Sequence, residues 1–312
     1  MILLNQIKSR FKTKKLADAT PTAVSRGNFE YYVDSPIHTI EEGNIKVKEL
    51  LQGGNPCMIT RFGSTELSAV YQYYLEGSKM NMQWSALHKQ GLNKDSGFFP
   101  STDEMISKFC STFIEHVKNT DLLGVWFREG EETMVTKFLP NAYLTPLRGL
   151  EPYYFQNPWS SILENKKVLV IHPFAKSIQK QYLLREKLFV NNILPAFSLE
   201  TIEAVQSLGT TKTRFASWFD AYESMCNVIQ SKDFDIAIIG AGAYGLPLAS
   251  FVKSQGKKAV HLGGATQLLF GIKGKRWDNH IIISKLYNEY WVRPSESETP
   301  ARENLLEDGC YW

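Results

Sequence analysis

One segment decides how this chain folds: residues 234–248, FDIAIIGAGAYGLPL. Its isoleucine-rich start is typical of a buried strand, and the apolar spacing after it is typical of a helix. Gly240, Gly242 and Gly245 lie between the two with G-x-G-x-x-G spacing. A glycine turn at such a junction lets backbone approach a ligand and points helix N–H groups at it, which attracts phosphate. The segment therefore predicts a site for a nucleotide or another phosphorylated small molecule.

This glycine spacing also has a plainer interpretation, a tight turn that needs glycine only for packing. A dinucleotide-binding unit would end its next strand in Asp or Glu, whereas residues 258–261 run into Leu262, Gly263 and Gly264 without an acid. Because this second glycine turn follows the neighbouring strand, the two turns should border one crevice at the carboxyl edge of a parallel sheet. We therefore favour a phosphate or sugar contact.

Apolar runs and helical patterns alternate along most of the chain. The expected strands are 57–60, 122–127, 167–171, 194–205, 234–239 and 258–262. The expected helices are 39–52, 64–75, 104–118, 131–138, 177–189, 215–230 and 246–255. The Pro- and aromatic-rich residues 140–160 are interpreted as a connection. This alternation predicts an α/β fold with a mostly parallel sheet and helices on both faces.

The expected domain covers residues 36–289 and lies between two tails. Residues 1–35 form a basic N-terminal tail, and residues 290–312 end in Tyr311 and Trp312. Two prolines and several acids in the second tail disfavour a long helix. Its aromatic residues predict a tail that docks back on the body, and the alternative is a mobile end.

Charge is concentrated at the N-terminus. Residues 1–15 carry five cations and no acid, and the rest of the chain has 30 basic and 32 acidic residues. A nearly neutral body does not support a nucleic-acid partner. Apolar residues in the same segment could share one face of a short helix, which predicts peripheral contact with an anionic membrane. A solvated terminus is an equally good interpretation of this segment.

The four cysteines are widely spaced, and no C-x-x-C pair exists. A structural zinc site is therefore not expected, and sparse cysteines are typical of a reducing compartment. No stretch is apolar enough to span a bilayer, and no signal peptide is evident. The expected location is the cytoplasm, in association with the inner face of the membrane if the basic segment binds there.

A second motif, RFGSTEL, occupies residues 61–67 at another strand-to-helix junction. Ser64 is expected to be the N-cap of the helix. Arg61 could hold a phosphate through paired hydrogen bonds, and Glu66 could bind a divalent cation or act as a base. From spacing alone, a capping and salt-bridge role for Arg61 and Glu66 is the simpler interpretation.

Residues 61–67 resemble the Arg-Phe-Gly-Asp-Gly-Glu-Leu motif of GT-D-type glycosyltransferases. The glycine turns at 240–245 and 263–264 also resemble turns of that family, so the resemblance covers residues 50–280 in patches. It implies a single Rossmann-like domain that transfers a sugar from a nucleotide-sugar to a glycan or lipid-linked acceptor, in bacterial surface-polysaccharide synthesis. It also implies a Mn or Mg ion held at an Asp-x-Glu element.

Ser64 departs from that family pattern, because it stands where the family has Asp. A hydroxyl is a poorer ligand for a hard cation than a carboxylate. Glu66 is then the expected metal ligand, together with the diphosphate. The alternative is a metal-independent enzyme whose cationic groups and helix N-termini stabilise the leaving diphosphate.

Further residues are predicted to line the same crevice. The predicted catalytic residues are Glu66 and His261. The predicted donor-binding residues are Arg61, Gly63, Ser64, His172, Ser177, Gly240, Gly242, Tyr244, Gly245, Gly263, Gly264, Gln267 and Arg276. His172 and His261 follow apolar strands, Ser177 could instead cap a helix, and Arg276 belongs to a basic loop whose guanidinium suits diphosphate.

The sequence thus favours a nucleotide-sugar-dependent glycosyltransferase. Two alternatives stay open. One is an NAD-dependent oxidoreductase that uses the G-x-G-x-x-G turn. The other is a degenerate, non-catalytic module that binds a nucleotide-sugar and has lost the Asp at Ser64.

Overall fold

The computed structural model describes residues 31–32, 35–207, 213–300 and 310–312. The basic segment 1–15 lies outside the described residues, so its membrane contact stays a prediction. Among the residues described, every helix is too short or too polar to cross a bilayer.

Strands make up a small hairpin and a large sheet. The hairpin pairs β1 (Tyr31–Tyr32) with β2 (Ser35–Pro36) in antiparallel register. The large sheet contains β3 (Cys57–Arg61), β4 (Leu122–Val125), β5 (Tyr143–Pro146), β6 (Lys167–His172), β7 (Ser198–Glu203), β8 (Ile236–Ile239) and β9 (Lys258–His261). All seven strands are parallel, in the order β5-β4-β3-β9-β8-β6-β7. The predicted α/β fold with a parallel sheet is confirmed.

Helices cover both faces of this sheet. The longer ones are Ile40–Gln52, Ser64–Leu75, Ala86–Ser96, Asp103–Val117, Glu131–Phe138, Ala175–Tyr182, Trp218–Gln230 and Gly245–Ser254. Each face of the sheet has its own apolar cluster. Successive side chains of a strand contribute to alternate clusters, so that Met58 belongs to one and Ile59 belongs to the other. Because both faces are buried, the central strands are continuous apolar runs.

Some elements differ from the prediction. The hairpin includes Tyr31, Tyr32 and Ser35, which the prediction assigned to the tail 1–35; Tyr32 is buried and donates a hydrogen bond to Glu131. Strand β5 lies within the expected connection 140–160. The expected helix 177–189 is two helices, Ala175–Tyr182 and Arg185–Leu188.

The strand order places the carboxyl ends of β3 and β9 side by side at the centre of the sheet. The connections from β3 to β4 to β5 and from β8 to β9 run in one direction across the sheet, whereas the connection from β6 to β7 runs in the opposite direction. The direction therefore reverses between β6 and β8, at a topological switch point, where open α/β sheets leave a crevice for ligands.

Candidate functional site

A cleft of about 580 Å³ opens at this switch point. Residues from the ends of β3, β6, β8 and β9 line it, together with loops and the last three residues of the chain. Twelve of the predicted site residues are among the lining: Arg61, Gly63, Ser64, Glu66, His172, Gly240, Gly242, His261, Gly263, Gly264, Gln267 and Arg276. Residues far apart in sequence thus meet at one edge of the sheet.

Arg61 ends β3 and occupies the middle of the cleft. Its guanidinium lies 4.3 Å from the ring centroid of Trp126, and that of Arg128 lies 4.6 Å from the same ring. The Arg61 Nε is buried and has no hydrogen-bond partner in the described part of the chain. Burial lowers the pKa of Arg61, but a guanidinium stays charged at neutral pH. An anionic ligand would satisfy both the charge and the unpaired donor.

The two glycine turns approach each other and Arg61. Gly242 and Gly263 have φ angles of +51° and +63°, which favour glycine. A Cβ at Gly263 would lie 3.2 Å from Nη1 of Arg61, and one at Gly240 would lie 2.7 Å from Cδ2 of His172. Because these glycines have no side chain, the backbone of the two turns can lie close to His172 and Arg61.

Both histidines are buried and neutral. The backbone N–H of Phe174 donates to Nδ1 of His172 at 2.9 Å, and Nδ1 of His261 lies 2.9 Å from Oγ1 of Thr60. Burial lowers the pKa of each imidazole to about 3, with a further decrease at His261 from the charge of Arg61. A neutral imidazole of such low basicity can bind a ligand through hydrogen bonds but is a weak proton acceptor at pH 7.

Gly245 and Tyr244 do not line the cleft. A Cβ at Gly245 would overlap the ring of His261, so this glycine is required for packing. Tyr244 stacks on Trp218 at 4.9 Å with the rings 3° from parallel, and its hydroxyl lies 3.1 Å from Oγ of Ser207. Their assignment to donor binding is corrected: both support the turn from behind.

Ser177 is likewise turned away from the cleft. Its backbone N–H and that of Lys176 donate to Oε1 of Glu298, at 3.1 and 2.8 Å, and its hydroxyl donates to Oε2. Burial alone would raise the pKa of Glu298, but these bonds and one from Ser295 lower it. The carboxylate occupies the N-terminal end of helix Ala175–Tyr182, where the prediction placed a phosphate.

Gln267 and Arg276 hold the C-terminal residues in place. Nε2 of Gln267 donates to the carbonyls of Lys273 and Tyr311, both at 3.1 Å. Nη2 of Arg276 lies 2.7 Å from Sγ of Cys310, and its guanidinium lies 4.3 Å from the Tyr311 ring centroid. The Tyr311 ring packs where a Cβ of Gly264 would stand. The C-terminal residues therefore form one wall of the cleft.

Glu66 and Ser64 begin the helix Ser64–Leu75. The prediction that Ser64 caps this helix is wrong, because Gly63 is the N-cap and Ser64 is the first helical residue. The Glu66 side chain is buried and folds back over Gly63. Among described residues, no three His, Cys, Asp or Glu side chains are grouped as a metal site would require. The protein ligands present do not by themselves make up a divalent-cation site.

Glu151 is a cleft residue that the sequence did not reveal. It follows the 3₁₀ turn Leu147–Leu150 at the end of β5 and lines the cleft with Arg61. Burial raises its pKa to about 7, although the Tyr153 hydroxyl and Arg148 oppose the shift. Nothing in the local sequence indicates this environment, because it depends on residues brought in by the sheet.

Comparison with known protein families and with curated proteins finds no match. Two solved structures match over 86% of this chain and 94% of theirs. One, at 9% identity and a TM-score of 0.47, is described as showing that "the highly conserved domain of unknown function 1792 has a distinct glycosyltransferase fold". The other, at 10% identity and a TM-score of 0.45, is a selenomethionine-substituted structure of the same domain.

Proposed function

We propose that this protein is a glycosyltransferase that moves a sugar from a nucleotide-sugar donor to a glycan or lipid-linked acceptor. The observation that carries the proposal is Arg61, a half-buried cation beside the glycine turns at the carboxyl edge of the sheet, whose buried Nε has no partner among the described residues. Such a combination suits a diphosphate, because fixed donors and positive charge meet the charge that develops as it leaves.

The roles of the cleft residues follow from their positions. Arg61 and Arg276, which both line the cleft, would neutralise the diphosphate, and the neutral His172 and His261 would offer hydrogen bonds to phosphate or sugar. The resemblance of residues 61–67 to the GT-D motif supports a sugar rather than a nicotinamide donor. So does the absence of an acid at the end of β9, in the sequence Lys258–His261.

A manganese or magnesium ion, if the reaction uses one, would be bound by Glu66. Its carboxylate would be the one anionic ligand from the motif, and the diphosphate would supply the others. The described residues group no full set of metal ligands, so Arg61, Arg276 and the two histidines are the groups proposed to act on the diphosphate directly. Glu66→Gln separates the two cases: loss of manganese-dependent donor binding supports the metal role, and unchanged binding and turnover contradict it.

A thermal-shift panel tests the proposal. The probes are UDP-, GDP-, CMP- and dTDP-sugars and NAD(H), each with and without manganese, because a ligand that binds the native state raises its apparent stability. We expect a shift with one nucleotide-sugar that is lost in Arg61→Gln. Arg185→Gln is the matched control, since Arg185 lies outside the cleft lining and pairs with Glu186.

The alternatives give different outcomes. A shift with NAD(H) alone would replace the proposal with an oxidoreductase. A nucleotide-sugar that binds but is never consumed, even with acceptor glycans present, would indicate a degenerate binding module. A shift that survives in Arg61→Gln would mean that the ligand binds elsewhere.

A further inference from the structure

Transfer of a sugar to a hydroxyl requires a group that accepts the hydroxyl proton. The candidates named from the sequence are poorly suited to this step. His261 is held at very low basicity by burial and by Arg61, and Glu66 is folded back over Gly63. The proposed transfer therefore requires another proton acceptor in the cleft.

Glu151 lies on the side of the cleft away from the glycine turns. The turns follow β8 and β9, Arg61 ends β3, and Glu151 follows β5 beyond β4. The strand order therefore sets a diphosphate at the glycine turns on one side of Arg61 and leaves the other side open to the acceptor. Trp126 and Arg128, which follow β4, line the cleft between Arg61 and Glu151.

We propose that Glu151 is the general base that deprotonates the acceptor hydroxyl, and that the β4–β5 side of the cleft is the acceptor subsite. The inference rests on the proposed function and deepens it. The exposed Arg128 beside the Trp126 ring suits an acceptor that combines a sugar face with an anionic group.

The environment of Glu151 suits a base that works near neutral pH. Two cations, Arg148 and Arg61, favour its charged form, and burial opposes them more strongly. The phenol rings of Tyr153 and Tyr154 face it from its own segment, and both stay neutral because burial raises their pKa values. A carboxyl group whose pKa lies near 7 combines a populated carboxylate with useful basicity.

The step balances without a co-reactant. The Glu151 carboxylate takes the proton of the acceptor hydroxyl, whose oxygen forms a bond to the anomeric carbon of the donor. The bond from that carbon to the diphosphate oxygen breaks, and the nucleoside diphosphate leaves with the electron pair beside Arg61. One displacement at the anomeric carbon inverts its configuration.

The experiment measures nucleoside-diphosphate release from UDP-glucose, UDP-galactose, GDP-mannose and dTDP-glucose between pH 5 and 9, with water as the acceptor. For the wild type we expect release to fall about tenfold per pH unit below a midpoint near 7. Glu151→Gln should be ~10²–10⁴-fold slower and lack that midpoint. Glu151→Asp should be slower but keep the midpoint, and the exposed control Glu164→Gln should match the wild type.

Donor thermal shift, measured on each variant, separates folding and binding from chemistry. The expected result is that Glu151→Gln keeps the donor shift while losing release. Release within threefold of the wild type, an unchanged midpoint in Glu151→Gln, or retained anomeric configuration in the product would overturn the assignment. If wild-type protein neither shifts with nor consumes any of the four donors, the proposed function itself fails.

Discussion

The loop after β4 depends on one buried carboxylate, and its removal is a quantitative test. Oε2 of Glu131 accepts hydrogen bonds from the Tyr32 hydroxyl at 2.8 Å and from the backbone N–H groups of Trp126 at 3.0 Å and Phe127 at 2.7 Å. A longer bond of 3.4 Å comes from the N–H of Arg128. This one oxygen therefore links the N-terminal hairpin to the loop that carries Trp126 and Arg128 to the cleft.

Glu131→Ala leaves the Tyr32 hydroxyl and the Trp126 N–H without acceptors inside the protein. Each unmet buried donor costs about 1–3 kcal/mol, so the free energy of unfolding should fall by roughly 2–6 kcal/mol. Glu131→Gln should cost less than Glu131→Ala, because an amide oxygen can replace Oε2 and only the NH₂, in the place of Oε1, is left without a partner among the described residues. Burial raises the pKa of Glu131, so a neutral replacement is also relieved of desolvation.

Urea unfolding at pH 7.5, followed by circular dichroism, measures both variants. Glu132→Ala is the matched control, because Glu132 is the next residue of the same helix and is exposed. If Glu131→Ala lies within about 1 kcal/mol of that control, water satisfies the loop donors and the reasoning is refuted. Donor affinity should fall in Glu131→Ala even where the protein is fully folded, since Trp126 loses its anchor.

Three further outcomes are expected. Gly245→Ala should lower the free energy of unfolding by about 2 kcal/mol or more, because the added methyl group overlaps His261. Gly54→Ala should be nearly neutral, because the space around Gly54 is open. Equal effects of the two substitutions would contradict the packing role of Gly245. The imidazoles of His172 and His261 should show no titration in NMR spectra between pH 5 and 8, and a midpoint near 6.5 in either would show that it is not buried as described. The fold disfavours the charged form of Glu151, because its pKa is raised from 4.5 to about 7. Relative to Glu151→Gln, the wild type should therefore lose roughly 2–3 kcal/mol of its free energy of unfolding as the pH rises from about 4.5 to 7. A difference in unfolding free energy between the two proteins that is the same at pH 4 and pH 8 would contradict this.

The central strands could be predicted because their chemistry is local. Strands β6, β8 and β9 are buried on both faces, and an uninterrupted apolar run is enough to identify them. Strand β5 was missed because it is a four-residue edge strand that ends in Pro146. Helix Ala86–Ser96 was missed because only Leu92 and Ser96 are buried, which leaves almost no periodic signal.

The candidate site divides in the same way. Arg61 and the glycine turns could be found because each follows a recognisable strand and precedes a helix. Glu151 could not, since its high pKa arises from burial by a sheet edge that the sequence did not reveal. Ser177 was misassigned for a related reason: its partner Glu298 is 121 positions away.

The pairing of β3 with β9 has a consequence for how the chain is made. Residues Cys57–Ile59 align with Lys258–Val260, and Thr60 and His261, which meet across this seam, are 201 positions apart. At ~5–20 residues per second, a ribosome needs roughly 10–40 s to synthesise the intervening chain. Throughout that interval one side of β3 offers unpaired N–H and C=O groups to any other nascent strand. We expect the growing polypeptide to need a chaperone until β9 emerges from the ribosome. The last strand pairing to form in the sheet, β3 with β9, is then the one that completes the cleft.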